Sequence, residues 1–157
     1  DHRDLHSFPT RRSSDLICSR PFMQDELCAI VPMGHPLSCR KELALEEMAQ
    51  YPFLMREKGS AGSEILDACF AVRQISVRPR MESSSTQAIV RSVAEGLGVA
   101  VLPYLLIKKD IEAQTVKQIP LKHPLQRSLN IIYHKGKYLT QNMKAFMKLC
   151  RESGKIT

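Results

Sequence analysis

Two clusters of small polar residues hold the side chains best suited to bind a ligand: residues 59–63, "GSAGS", and residues 83–86, "SSST". Each cluster precedes an apolar pattern of helical period, so each is expected to form a helix N-terminus. Such an end presents unpaired N–H groups and partial positive charge, which bind carboxylates and other anions. Two neighbouring ends of this kind would hold a small anionic metabolite. Serines in these places also act as helix caps, worth about 1 kcal/mol each, and the two roles are compatible.

Groups suited to catalysis do not form a motif. The chain has no G-x-S-x-G elbow for a nucleophilic serine. Glu46 and Glu47 are adjacent on a short predicted helix, so their carboxylates point apart. Residues 96–98, "GLG", end a helix and precede a strand, which reverses the order of a dinucleotide-binding loop. His35, in "GHPL", is expected to be a turn residue. No catalytic residue is therefore predicted.

The cysteines favour neither a disulfide framework nor a metal site. They are odd in number and widely spaced, and no C-x-x-C pair or suitably spaced histidine accompanies them. Reduced thiols in a cytoplasmic protein are the simplest interpretation, and no metal or cofactor is expected. The five positions are 18, 28, 39, 69 and 150.

Strand and helix patterns alternate from residue 27 onward, which predicts an α/β domain with a largely parallel sheet. Strands are expected at 27–32, 51–55, 77–82, 99–103, 115–121 and 129–134, and helices at 43–50, 60–74, 84–97 and 139–153. The pattern of residues 105–112 is mixed and predicts neither. In open α/β sheets, ligands bind beyond the carboxyl ends of the strands, where both hydroxyl-rich clusters are expected.

The helix ends carry specific expectations. Ser60 or Ser63 should cap the second helix, and Ser84 or Ser85 the third. Thr140 should cap the last helix. Gly96 or Gly98 should supply the positive φ that ends the third. The buried faces are predicted to comprise Ile65, Leu66, Cys69 and Phe70; then Ile89, Val90, Val93, Ala94 and Leu97; and finally Met143, Phe146, Met147 and Cys150.

The net charge of +7 arises from the last third of the chain. Residues 108–157 carry eleven Lys and Arg against three Asp and Glu, whereas residues 17–107 carry nine against ten. The basic residues are spread singly without interleaved aromatics, so direct nucleic-acid binding by this chain is not expected. No apolar run is long enough to cross a bilayer, so no membrane partner is expected either.

The first sixteen residues have neither helical nor strand periodicity. Residues 6–16, "HSFPTRRSSDL", resemble the translation of a common sequencing-adapter oligonucleotide. Residues 1–16 are therefore expected to be a non-native segment, with a disordered basic arm as the alternative. On the first interpretation the natural protein extends further upstream.

Four segments resemble, in order and spacing, the effector-binding domain of LysR-type transcriptional regulators. The likeness covers about residues 25–151, and each segment is weak evidence singly but specific in combination. The segments are "ELCAIVPMGHPL", "LMREKGSAGSEILDACF", "MESSSTQAIVRSVAEGLGVAVLP" and "SLNIIYHKGKYLTQNMKAFMKLC".

The resemblance implies a periplasmic-binding-protein-like (type II) fold, in which two α/β subdomains joined by crossover strands enclose a small effector. Residues 17–28 would be the lead-in and first crossover, and 29–130 the second regulatory subdomain. Residues 131–157 would be the returning strand and C-terminal helix of an incomplete first subdomain. Operator DNA would be bound only by a helix-turn-helix domain absent from this chain, in a homodimer or homotetramer. Effector binding is carried over to Gly59, Ser60, Ser84, Ser85, Thr86 and Pro103.

Two other functional classes share this architecture. A periplasmic solute-binding protein would need a signal peptide, and the odd number of free cysteines counts against it. An enzyme such as a dehydratase or transferase would need acid–base or phosphate-binding residues, for which the sequence has no motif.

Overall fold

The computed structural model describes residues 16–154, and within them the chain divides into two compact units. One unit is Asp25–Arg127, and the other combines the described residues before and after it. The predicted non-native segment, residues 1–16, lies outside the described residues except for Leu16.

Six strands and five helices make up the described chain. The strands are β1 (Ile17–Val31), β2 (Phe53–Arg56), β3 (Met81–Ser83), β4 (Val99–Pro103), β5 (Lys117–Ile119) and β6 (Leu125–His134). The helices are α1 (Leu45–Met48), α2 (Ala61–Val72), α3 (Thr86–Ala94), α4 (Tyr104–Glu112) and α5 (Gln141–Ser153), and a 3-10 turn forms at Pro36–Cys39.

The sheet is mixed, with the strand order β3-β2-β4-β1-β5 and with β6 also paired to β1. Strand β2 runs parallel to β3 and β4, whereas β1 runs antiparallel to β4 and β5. The expectation of a largely parallel sheet was therefore wrong. An apolar run buried on both faces predicts a central strand but not its direction, and residues 27–31 of β1 are buried throughout.

Two hydrophobic cores lie on opposite faces of this sheet, because successive strand residues point to opposite sides. Ala29 and Val101 belong to the core beneath α2, and Ile30 and Leu102 to the core beneath α3. Complete burial of each aliphatic side chain is worth about 1.5–3 kcal/mol. Helix α2 contributes Leu66 and Phe70 to its core, and α3 contributes Ile89, Val90 and Val93 to the other.

For α2 and α3, the observed capping residue is one of the two serines predicted for each helix. Ser60 caps α2, since its Oγ accepts a hydrogen bond from the Ser63 N–H at 3.2 Å. Ser85 caps α3, its Oγ accepting from the Ala88 N–H at 3.2 Å. The predicted Thr140 cap of α5 is confirmed by a 3.3 Å hydrogen bond.

Two glycines after α3 have different roles. Gly96 has φ of +78° and ends the helix as predicted. Gly98 instead allows close approach, because a Cβ there would lie 2.2 Å from the Pro52 carbonyl oxygen. Leu97 was expected to point inward but is 41% exposed, because α3 ends at Ala94 and the chain turns away.

Helix α4 was missed, and β1 and β3 differ from their expected bounds. Only Ile107 of α4 is buried, so the helix has almost no apolar stripe to reveal its period. Strand β1 begins ten residues before the predicted start. This first part is half-exposed and contains polar residues, so it lacks the continuous apolar run from which the strand was predicted. Strand β3 lies at an edge of the sheet as expected, but it has only three residues.

The second unit has a thin core. Of its described apolar residues, only Met147 in α5 is fully buried. Phe146 is 62% exposed, contrary to its predicted inward position, while Met143 and Cys150 are half-buried. None of the helices in the described chain combines the length and apolar character needed to cross a membrane.

Candidate functional site

A cavity of about 160 Å³ lies within the unit Asp25–Arg127, where β2 and β4 end and α2 begins. This is the edge at which α/β sheets bind ligands. Its lining combines charged, hydroxyl and apolar residues: Arg56, Ser60, Ala61, Gly62, Ser63, Leu66, Val101, Pro103, Leu106 and Arg127.

The N-terminus of α2 forms one wall of this cavity. The first backbone hydrogen bond of the helix runs from Glu64 to Ser60, so the N–H groups of Ala61 and Gly62 precede the intrahelical ladder. The Ser60 hydroxyl accepts from Ser63, whose own side chain is buried. The cavity wall therefore offers unpaired amides, the Ser60 hydroxyl and the positive end of a helix dipole, whereas the Ser63 hydroxyl donates to Asp67 Oδ2 at 3.4 Å.

Arg56 contributes the first guanidinium. It is the last residue of β2, and its Nε and Nη2 donate to the two carboxylate oxygens of Glu57 at 2.8 and 2.9 Å. The hydrogen bond from Arg56 lowers the pKa of Glu57 below its ordinary value. The Nη1 of Arg56 donates to Thr86 Oγ1 at 2.9 Å, which connects the cavity lining to the first residue of α3.

Arg127 contributes the second guanidinium from strand β6. Its Nε donates to Asp25 Oδ2 at 2.8 Å, and its Nη2 lies 2.7 Å from the same oxygen. The Asp25 side chain is only 1% exposed, and its Oδ1 accepts from the backbone N–H groups of Glu26 at 3.0 Å and Leu105 at 3.1 Å. Arg127 is therefore held against a buried carboxylate, and it also lines the cavity.

The electrostatics of the lining favour an anion. Two guanidinium groups and a helix N-terminus meet there, and within the described chain no Asp or Glu lines the cavity, since Glu57 and Asp25 pair with the guanidinium groups from outside the lining. Guanidinium N–H groups and free amides match the geometry of carboxylate, phosphate and sulfate oxygens. The apolar part of the wall, including Leu66 and Val101, excludes water and would strengthen these contacts.

The residues predicted from sequence fall into two groups. Ser60 and Pro103 line the cavity, and Thr86 accepts the hydrogen bond from Arg56. Gly59, with φ of +87°, forms the turn before the cap, while Ser84 and Ser85 are exposed near the start of α3. These last three do not line the cavity, so their contact with an effector stays a prediction.

Sequence reasoning missed both arginines. Arg56 had a usable signal, because it ends a buried strand and stands three residues before the Gly-Ser cluster. Arg127 had none, because its partner Asp25 is 102 positions away and only the tertiary structure pairs them.

The other potentially reactive groups are in structural positions. His35 accepts from the Leu37 N–H at 3.2 Å and is a turn residue, as predicted. Burial raises the pKa of the Cys28 thiol to about 12, which removes its nucleophilic thiolate. Among the residues of known placement, no group of His, Cys, Asp and Glu is arranged to hold a metal ion.

Comparison with known proteins identifies the family to which the sequence belongs. Residues 6–155 match the LysR substrate binding domain. The transcriptional regulator YeiE of Escherichia coli K12 is 31% identical over 135 residues, covering 85% of this chain and 46% of that protein. The regulator CysL of Bacillus subtilis is 28% identical over 134 residues, covering 85% and 45%. The chain thus spans less than half the length of these relatives.

Solved structures show the same fold. The regulatory domain of CcmR from Synechocystis PCC6803, in complex with 2-PG, superposes with a TM-score of 0.82 at 23% identity, covering 94% of this chain and 72% of that one. The effector-binding domain of QuiR, in complex with shikimate, gives 0.78 at 22% identity, covering 92% and 68%. The fold is therefore the periplasmic-binding-protein-like type II fold of these regulatory domains. With its sequence matched over nearly its whole length, the chain belongs to the LysR substrate-binding domain family.

Proposed function

We propose that this chain is the effector-sensing part of a LysR-type transcriptional regulator and that it binds a small anionic metabolite at the cavity beside α2. The observation that carries the proposal is the convergence of Arg56, Arg127 and the α2 N-terminus on a cavity whose described lining has no acidic side chain. Each of these groups can donate hydrogen bonds to an anion, in addition to the pairing of Arg56 with Glu57 and of Arg127 with Asp25.

Family membership decides among the three functional classes. The relatives are transcriptional regulators, and the family is not enzymatic, so neither a solute-binding protein nor an enzyme of similar architecture is retained. Among the structural relatives, CcmR is in complex with 2-PG and QuiR with shikimate. Small bound molecules in two such domains support a small effector here.

We expect the residues predicted from sequence to contact different parts of the effector. The Ser60 hydroxyl would donate to the anionic end of the effector, and the apolar ring of Pro103 would contact its carbon skeleton. An effector larger than the cavity would extend toward Gly59 and toward Ser84, Ser85 and Thr86, along the hydrogen bond from Arg56 to Thr86. These four residues would then contact the part of the effector that lies outside the cavity.

The remaining features of the proposal follow from the family. The unit Asp25–Arg127 would be the second regulatory subdomain, and the second unit would belong to the first. Operator DNA would be bound by a helix-turn-helix domain outside this chain, in a cytoplasmic homodimer or homotetramer. An effector that prefers one conformation of the regulator would shift its population, and linkage would pass this preference to DNA affinity.

Two serine caps provide a matched test of the anion site. Ser60 and Ser85 each cap a helix by one 3.2 Å hydrogen bond, but only Ser60 lines the cavity. Replacing either by alanine should cost about 1 kcal/mol of stability. With sulfate as the probe, calorimetry should show binding to Ser60→Ala weakened by at least about tenfold, since a hydrogen bond to an ion is worth about 1.5–3 kcal/mol. Binding to Ser85→Ala should be unchanged.

Three outcomes would count against the site. The unmodified chain could fail to bind sulfate, both variants could lose affinity equally, or neither could lose any. Equal losses would mean that helix stability, and not contact with the ion, controls binding. Urea unfolding of both variants supplies the stability comparison on which this distinction depends.

A further inference from the structure

We propose that Asp25 is a positioning residue of the anion site: its buried carboxylate holds the Arg127 guanidinium so that the free side of the guanidinium faces the cavity. This inference rests on the proposed anion site and adds a residue that does not line the cavity. It also assigns a role in binding to a buried acidic side chain.

Asp25 contacts only one edge of the Arg127 guanidinium. Both nitrogens that approach Asp25, Nε and Nη2, lie on the same carboxylate oxygen at 2.8 and 2.7 Å. Among the described residues, no hydrogen-bond acceptor is found for Nη1. Because a guanidinium is planar and rigid, fixing one edge also fixes the direction of the other N–H groups. Since Arg127 lines the cavity, the proposal assigns these remaining donors to a ligand there.

Asp25 is itself fixed from three sides. Its carboxylate accepts from its neighbour Glu26 on β1, from Leu105 in the first turn of α4 and from Arg127 on β6. Asp25 and Arg127 are also the first and last residues of their unit. Asp25 lies in β1 and Arg127 in β6. The position of Arg127 therefore depends on three elements, and its side chain, 16% exposed, has little freedom to reorient.

The energetics favour a functional reason for this pair. Removing two charges from water is costly, and a buried ion pair is often no more stable than apolar residues of the same volume. A buried carboxylate with donors on both oxygens is therefore a weak source of stability. It is, however, an effective way to preorganise a guanidinium, which saves the entropy of ordering it when the ligand binds.

The expected effect must be separated from that of charge alone. Loss of the Asp25 charge would by itself favour an anion, whereas loss of the fixed guanidinium would disfavour it. The charge effect acts through space and does not require Arg127, while the positioning effect does. A double-mutant cycle separates the two contributions.

The cycle uses the full 157-residue chain, with sulfate as the probe and calorimetry as the measurement. The variants are Asp25→Asn, Arg127→Met and the combination of both. We expect Asp25→Asn to weaken sulfate binding by at least about tenfold more in the unmodified chain than in the Arg127→Met background. Equal effects in the two backgrounds would overturn the positioning role.

A second variant keeps the inference falsifiable if Arg127→Met fails to fold, since Asp25 is then buried without a partner. Arg127→Lys keeps the charge and can still pair with Asp25, but its single ammonium cannot also present a fixed fork to the ligand. It should bind sulfate about tenfold more weakly, and affinity equal to that of the unmodified chain would overturn the proposal. Glu46→Gln, which breaks a surface pair with Arg73, is the control and should leave affinity unchanged.

Failure of this inference can be told apart from failure of the proposed function. Absence of sulfate binding to the unmodified chain would overturn both. Binding that Ser60→Ala weakens, but that shows no coupling between Asp25 and Arg127, would overturn only the role of Asp25.

Discussion

At the scale of single residues, burial determines which polar groups are reactive. Cys28 lies in β1 with its thiol 3.6 Å from the Leu102 carbonyl oxygen. Burial raises its pKa from 9.0 to about 12, and the neighbouring charges of Glu26 and Asp25 add to the effect. Cys39 is exposed. The chain therefore contains an internal comparison between a protected and an accessible thiol.

The accessibility of these thiols can be measured directly. With iodoacetamide at about pH 8, Cys39 should be alkylated in the folded chain while Cys28 stays unmodified, because only the thiolate reacts. Peptide mapping by mass spectrometry identifies the modified positions. Alkylation of both at the same rate would contradict the burial of Cys28, and denaturation in urea should abolish the difference.

The same shift predicts a pH dependence of stability. The unfolded chain loses the Cys28 proton near pH 9, whereas the folded chain retains it up to about 12. Since the folded state then binds more protons, the free energy of unfolding should fall as the pH rises through this window. Cys28→Ala should show a shallower decline between about pH 9 and 10.5 in urea titrations. An identical slope in the variant would contradict the raised pKa.

At the scale of elements, the junction after α3 depends on a close backbone approach. Strand β4 is parallel to β2, and the Val99 N–H donates to the Pro52 carbonyl oxygen at 2.9 Å. Gly98, the preceding residue, therefore passes next to Pro52, where a Cβ would lie 2.2 Å from that oxygen. The atom met is backbone, so it cannot move aside without disturbing the pairing of the two strands.

Alanine at this glycine should be costly. Gly98→Ala should lower the free energy of unfolding by about 1–3 kcal/mol, since the strands must separate locally to admit the methyl group. Gly62→Ala is the matched control, because a Cβ there meets nothing within 4 Å and helix propensity favours alanine by up to about 1 kcal/mol. Urea unfolding measures both variants. A Gly98→Ala chain as stable as the control would refute the close approach.

At the scale of the whole molecule, the core is unevenly distributed between the two units. Apart from Met147, every fully buried apolar residue of the described chain lies in Asp25–Arg127. Helix α3 buries three apolar side chains and α5 only one. Local stability follows buried apolar contacts, so the two units should differ in how readily they open.

Hydrogen exchange should reveal this difference. Backbone amides of α5 should exchange faster than those of α3, because opening α5 exposes much less apolar surface to water. Exchange followed by mass spectrometry resolves the two helices on separate peptides. Equal protection of α3 and α5 would mean that the second unit is stabilised by more than the packing of the described residues.

The sequence determined the features that depend on local patterns. Hydroxyl groups placed just before apolar stripes predicted Thr140 as one cap and limited two other caps to a pair of serines each, of which the structure uses Ser60 and Ser85. The end of one stripe likewise left two glycines, of which Gly96 has the positive φ. The buried strand at Val99–Pro103 followed from its continuous apolar run. The family likeness was also present in the order and spacing of short segments.

Only the tertiary structure decided the direction of β1, the exposure of Leu97 and Phe146, and the composition of the cavity. Strand direction and the pairing of Asp25 with Arg127 depend on residues far apart in the chain. No periodicity within one segment encodes such contacts, because they form only when separate elements pack together. Ser60 was therefore found from the sequence, whereas both arginines of the proposed anion site became apparent only in the folded chain.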